Sequence, residues 1–95
     1  DVYLDIFDSL LSTDKINREE FIHIMSALID SNFNLVQTSR NLFMHKNTLI
    51  YKLNKFKKDF KLDPLHSRSD RDVTRYLCFF LTSEETKKRG NDERI

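Results

Sequence analysis

The feature that most constrains this chain is its near-total lack of residues that interrupt helices. In 95 residues there is one proline, Pro64, and one glycine, Gly90. In a helix interior, proline costs about 3 kcal/mol and glycine about 1 kcal/mol relative to alanine. Hydrophobic residues make up 39% of the chain and charged residues 33%, which is ordinary for a single globular domain. The composition therefore predicts an all-α fold.

Apolar residues recur every three or four positions through most of the chain, which predicts amphipathic helices. Asn17, three residues before Glu20, resembles a capping box that would start the second helix, with Ile16 in a hydrophobic staple. The stretch SNFN at 31–34 predicts a stop and a restart, with Asn32 left-handed and Asn34 as the next N-cap. We expect a compact bundle of about five helices, at roughly residues 2–12, 18–31, 35–42, 46–61 and 69–81.

Residues 45–58, HKNTLIYKLNKFKK, combine a regular apolar stripe with five lysines. The stripe consists of Leu49, Leu53, Phe56 and Phe60, at helical positions i, i+4, i+7 and i+11. Because a helix turns by about 100° per residue, polar and cationic residues fall on the opposite side. The pattern predicts a helix with one buried face and one open, hydrogen-bonding face, which carries Asn47, Tyr51, Asn54 and Lys58.

The formal net charge of +1 conceals an uneven distribution of charge. Residues 1–30 hold seven acids and two bases, whereas residues 40–61 hold seven bases and one acid. Positive charge gathered in one segment favours an anionic partner, although lysines on a helix surface are also often merely solvated. Charge alone leaves both interpretations open.

Several classes of protein are disfavoured by the sequence. The single cysteine, Cys78, rules out an internal disulfide and fits a reducing cytoplasm. The three histidines are scattered without metal-ligand spacing, and no phosphate loop or nucleophile motif occurs, so we expect no metal, no cofactor and no enzymatic activity. The longest apolar run, YLCFFL at 76–81, is too short to cross a bilayer. We therefore expect a cytoplasmic protein without membrane contact, and, since the chain starts at Asp1, a piece of a longer one.

Two short helices joined by about three residues are typical of a helix-turn-helix when the second one is cationic on its open face. Residues 35–42 and 46–61 fit this description. The major groove of DNA admits one helix, whose first residues reach base edges while flanking lysines contact phosphates.

The stretch NLVQTSRNLFMHKNTLIYKLNKF, residues 34–56, resembles the C-terminal helix-turn-helix of bacterial transcriptional regulators of the PucR/CdaR type. It is more distantly similar to the factor for inversion stimulation. Three residues depart from the family pattern: Ser39 replaces alanine, Phe43 lies in a turn that often contains glycine, and Ile50 stands where arginine is common. The residues that match are Asn34, Leu35, Thr38, Leu42, His45, Lys46, Asn47, Thr48, Leu49, Tyr51, Lys52 and Leu53.

The resemblance implies a sequence-specific DNA-binding domain, which we place at residues 1–83 with the motif at about 34–61. Residues 84–95 contain only a final isoleucine as an apolar residue, so we expect them to form a disordered tail. The resemblance also implies that double-stranded DNA is the partner and that the full-length protein is a homodimer or a higher homo-oligomer. We expect Asn47 to read adenine, Lys52 to clamp a phosphate, and His45 to cap the recognition helix. The predicted DNA-contacting residues are Thr38, Arg40, His45, Lys46, Asn47, Thr48, Tyr51, Lys52 and Lys55.

A second function fits the same residues. A helical protein–protein interaction module would present the acidic N-terminal part and the basic centre to complementary partners without binding DNA. The two hypotheses differ in salt dependence, since release of counterions from DNA makes affinity fall steeply as salt rises.

Overall fold

The computed structural model describes the backbone of residues 2–93 and the side chains of residues 4–82. Throughout this range the regular structure is helical and no strand occurs, which confirms the predicted all-α fold. No helix in the same range is long and apolar enough to span a bilayer. The five helices are α1 (Val2–Ser12), α2 (Lys15–Asp30), α3 (Leu35–Asn41), α4 (Lys46–Phe60) and α5 (Arg68–Glu93).

A single hydrophobic core is organised around α2. This helix packs against α3 and α5, while α4 packs against α1 and α3. Phe21 of α2 is completely buried, and its ring lies edge-on to those of Phe56 and Phe60, at centroid distances of 5.2 and 5.5 Å. The apolar stripe predicted for α4 is confirmed, because Leu49 and Leu53 are also buried.

The second helix begins earlier than the sequence predicted. Asp14 is its N-cap, and the Asp14 carboxylate accepts the Asn17 N–H at 2.8 Å. The predicted capping box from Asn17 to Glu20 is therefore wrong, since Asn17 already lies inside the helix. The expected staple is also absent, because Ile16 is 77% exposed.

The turn between α2 and α3 follows the prediction. Asn32 lies in the left-handed region with a φ of 53°, and the Asn34 side chain caps α3 by accepting the Gln37 N–H at 2.9 Å. Three further residues in the described part of the chain have left-handed backbone. They are bulky or charged, whereas this conformation is usually adopted by glycine. These residues are Phe33, Phe43 and Lys61.

Residues 61–67 connect α4 to α5, and side chains from α5 hold this loop in place. Arg71 donates hydrogen bonds to the carbonyl oxygens of Pro64 and Leu65, at 2.7 and 3.1 Å. The backbone of α5 is helical as far as Glu93 and so runs through most of the segment 84–95, for which the sequence predicted a disordered tail. Side chains beyond residue 82 lie outside the described residues, and the predicted domain boundary stays a prediction.

Candidate nucleic-acid interface

Helices α3 and α4 are joined by a tight turn at residues 42–45. The Met44 N–H donates to the Ser39 carbonyl at 2.9 Å, and the Phe43 N–H donates to the Arg40 carbonyl at 3.1 Å. This pair of bonds is a Schellman motif, in which the residue after the helix takes the left-handed conformation. That residue is Phe43, with a φ of 52°. The backbone therefore makes the turn for which many helix-turn-helix proteins use glycine.

His45 caps the N-terminus of α4, as the sequence predicted. Its Nδ1 accepts the Asn47 N–H at 3.1 Å, and its side chain is exposed. A neutral imidazole that accepts through Nδ1 carries its hydrogen on Nε2, so the outer edge of the ring is a free donor. The cap thus orients a hydrogen-bond donor at the positive end of the helix dipole.

The open face of α4 is accessible along its whole length. Asn47, Thr48 and Tyr51 are exposed on the side opposite the buried stripe, and Tyr51 is 70% exposed. The first turn of α4 contains no acidic residue, so its free N–H groups favour an anion. The exposed surface continues through Lys46, Asn54, Lys55 and Lys58.

Four cations beside this face are available to an anionic partner. Among the described residues, none of the four forms an ion pair, although Lys57 of the same helix lies 3.4 Å from Asp63. The available cations are Arg40, Lys46, Lys55 and Lys58.

Two of the predicted DNA-contacting residues are engaged within the protein. Lys52 Nζ lies 2.6 Å from Glu20 Oε1 of α2, and the two side chains are 29% and 38% exposed. Thr38 is completely buried, and its hydroxyl donates to the Asn34 carbonyl at 2.6 Å. Thr38 is therefore a core residue that DNA cannot reach, and the charge of Lys52 is partly neutralised by Glu20.

An exposed aromatic side chain near the interface, Phe43, was not among the predicted contacts. Phe43, two residues before the cap of α4, is 98% exposed. The sequence marked Phe43 as a departure from the family pattern but gave no indication of its exposure, because large apolar residues are usually buried.

A comparison with protein families identifies the same segment. The family model of the PucR C-terminal helix-turn-helix domain matches residues 21–71, which is more than half of the chain. The match takes in most of α2, all of α3 and α4, and the start of α5. Searches of curated proteins and of solved structures found no match to this chain.

Proposed function

The chain belongs to the family of PucR C-terminal helix-turn-helix domains, and we propose that it is a sequence-specific DNA-binding domain of a bacterial transcriptional regulator. In this proposal α4 enters the major groove of double-stranded DNA with its N-terminus toward the bases. The observation that supports it most is the division of α4 into a buried apolar stripe and an open face. Asn47, Thr48 and Tyr51 lie on that open face, beside cations without acidic partners.

We assign base contacts to the first two turns of α4. An Asn47 amide that faces a base pair can pair bidentately with N7 and N6 of adenine. The Thr48 hydroxyl and the His45 Nε2–H are short-range donors at the same end of the helix. Tyr51 lies one turn further along the same face, where its phenol can reach a base edge or the sugar-phosphate backbone.

We assign phosphate contacts to four cations beside the open face, which form no ion pair with any of the described residues. These are Arg40 at the end of α3 and Lys46, Lys55 and Lys58 on α4. Lys52 contributes less than the sequence suggested, because its ammonium already pairs with Glu20 at 2.6 Å. Four phosphate contacts give an expected slope of log affinity against log salt of about −4.

We further propose that the full-length protein acts in the cytoplasm as a homodimer or higher homo-oligomer. One recognition helix covers a single half-site, and helix-turn-helix proteins bind two half-sites about 34 Å apart along the duplex. Two-fold symmetry of the protein would then match a palindromic operator.

The proposal is tested by selecting bound duplexes from a random DNA pool and titrating the selected duplex at several salt concentrations. Asn47→Ala should weaken the selected site by about 1–3 kcal/mol and relax preference at one base pair. Lys55→Ala should weaken selected and random DNA alike and make the salt slope shallower by about one unit. Lys15→Ala is the matched control, since Lys15 is equally exposed on α2, and it should leave binding unchanged. Selection of no sequence, together with a salt slope near zero, would favour the protein-interaction module.

A further inference from the structure

A second exposed surface, formed by α1 and α5, is apolar. Leu4 and Phe7 of α1 face α5 across an open cavity of about 480 Å³. Phe79 lies on the flank of this cavity, with its ring 6.3 Å from that of Phe80. We call this surface the α1/α5 face. Its α5 side consists of Val73, Tyr76, Leu77, Phe79 and Phe80.

The exposure of this face is large for a surface without a partner. Tyr76, Phe79 and Phe80 are 66%, 70% and 40% exposed, and Leu4 is 61% exposed. Since one aromatic side chain can bury roughly 150–250 Å², the three rings alone offer on the order of 350 Å² of surface. A standard interface buries about 800 Å² on each partner, so these rings supply nearly half of that area. An apolar patch of this extent is comparable to the largest patch on many monomeric proteins, and such patches often have a function.

We infer that the α1/α5 face binds the α1/α5 face of a second copy of this chain. A two-fold interface must be self-complementary, because the same patch meets itself. This face offers both a cavity and an exposed ring, since the cavity between α1 and α5 is lined by Phe80, and the exposed ring of Phe79 lies 6.3 Å from that of Phe80. The Phe79 ring of each copy can enter the cavity of the other.

The lining of the cavity contains little charge. Asp72 is the one charged residue among the described residues that line the cavity. Its carboxylate already pairs with the Arg75 guanidinium at 3.1 Å within the same copy. A second copy can therefore cover the cavity without leaving the Asp72 carboxylate unpaired.

The choice of a second copy as the occupant rests on the proposed function, which requires two recognition helices on one duplex. None of the residues that line the cavity belongs to α3 or α4. Pairing through the α1/α5 face therefore uses none of the residues assigned to DNA.

The inference is tested by sedimentation of the chain without DNA, over three decades of concentration from about 1 μM. The wild type should pass from monomer to dimer, whereas Phe79→Glu and Leu4→Glu should stay monomeric with an unchanged helical circular dichroism spectrum. Phe43→Glu is the matched control, because Phe43 is an equally apolar and still more exposed residue outside this face, and this variant should dimerise like the wild type. A wild type that stays monomeric throughout, or a loss of dimer in Phe43→Glu alone, would overturn the inference.

Cross-linking provides a second readout, because a disulfide traps the dimer even when only a small fraction of the chain is paired at any moment. Because the pairing brings residue 79 of one copy to the cavity lined by Leu4 of the other, Phe79→Cys mixed with Leu4→Cys should form a disulfide-linked dimer under mild oxidation at least tenfold faster than Phe43→Cys mixed with Leu4→Cys. The native Cys78 does not interfere, because it is buried and its desolvated thiol has a pKa raised to about 11. Equal rates for the two mixtures would contradict pairing through this face.

The two proposals can fail separately. If the chain dimerises through this face but selects no DNA sequence, the DNA-binding function is wrong and the interface stands. If Phe79→Glu binds a full palindromic site as tightly as the wild type, the interface is wrong and the DNA-binding function stands.

Discussion

The turns at the two ends of α3 both place a phenylalanine in the left-handed region but differ in their surroundings, and the turn at 31–34 also has Asn32 in that region. Each contains a phenylalanine in the left-handed region, Phe33 with a φ of 62° and Phe43 with a φ of 52°. This conformation costs a residue with a Cβ roughly 1–2 kcal/mol. Phe33 is 8% exposed and Phe43 is 98% exposed. The same strain is thus offset by burial in one turn and left without a packing partner in the other.

The first turn, at residues 31–34, is fastened to the rest of the molecule by the Phe33 ring. The guanidinium groups of Arg71 and Arg75 lie over this ring, 4.7 and 5.0 Å from its centroid. Arg71 also reaches the loop before α5, where it bonds two backbone carbonyls. This turn is therefore part of a joint between α2, α5 and residues 61–67.

The second turn, at residues 42–45, is held by its own backbone. Its Schellman hydrogen bonds and the packing of α3 on α4 define its shape. The Phe43 side chain contributes nothing to this packing, so its ring is available to an external partner. Phe33 and Phe43 thus have the same side chain and a similar backbone conformation, but only Phe33 packs against the rest of the protein. Whether the ring stabilises the fold depends on the elements that surround it.

The largest expected effect is a difference in stability between two phenylalanine-to-alanine substitutions, one in each turn. Phe33→Ala should lower the free energy of unfolding by about 3–5 kcal/mol, since it empties a buried site. Phe43→Ala should change it by no more than about 0.5 kcal/mol, because the lost ring touches only water. Urea denaturation of both variants measures the contrast. Equal losses in the two variants would mean that the two turns are not different in kind.

A smaller effect is expected from Arg71, which ties the Phe33 turn to the loop. Arg71→Ala removes two charge-assisted hydrogen bonds and a cation–π contact, and should cost about 2 kcal/mol. Arg71→Lys keeps the charge but loses the forked geometry, so it should recover only part of that stability. In a double-mutant cycle, Arg71→Ala should cost less when Phe33 is already alanine. An unchanged cost would show that Arg71 acts on the loop alone.

The local sequence predicted those features of the fold that depend on residues close together in the chain. The regular spacing of large apolar residues identified the buried stripe of α4, and Asn34 identified the start of α3. The start of α2 was misjudged because Asp14 and Asn17 are both good N-caps, three positions apart. The cap preferences of the two residues are too similar to distinguish them, and only the folded chain shows which residue is used.

Long-range contacts account for what the sequence did not reveal about the site. Lys52 was expected on the DNA face, and its partner Glu20 lies 32 positions away in the chain. Thr38 was expected at the surface, and it is buried because α3 packs against both α2 and α4. Tyr76 and Phe80 lie within the apolar run of α5, and they are nevertheless exposed, 66% and 40%, in the α1/α5 face. Helical periodicity predicts the side of a helix on which a residue lies. It does not predict whether another helix packs against that side.

A third substitution, at Phe43, tests the cost of the left-handed backbone itself. Phe43→Gly should raise the free energy of unfolding by about 0.5–1 kcal/mol. Glycine removes the left-handed strain, and this gain exceeds the added entropy of the unfolded chain. Asn32→Gly is the control, because asparagine already tolerates this conformation, and its effect should be close to zero. A destabilised Phe43→Gly variant would show that the ring makes stabilising contacts in solution.

The smallest expected effect concerns the loop that supports the Phe33 joint and depends on pH. Burial alone would raise the pKa of the Asp63 carboxyl, but the hydrogen bonds and charges of His66 and Lys57 outweigh it and hold this pKa below its usual value. Ionised Asp63 therefore adds stability above the unfolded-state pKa of about 4, and this stability is lost as pH falls through the lower folded-state pKa. Asp63→Asn should be slightly less stable than the wild type at neutral pH, and the difference should vanish in strong acid. Asp59→Asn, at an exposed carboxylate on α4, should show no such convergence in urea titrations at the two pH values. If the Asp63→Asn difference stayed constant with pH, the ionised carboxylate would not be what fastens the loop beneath Arg71, and the Phe33 joint would depend on packing alone.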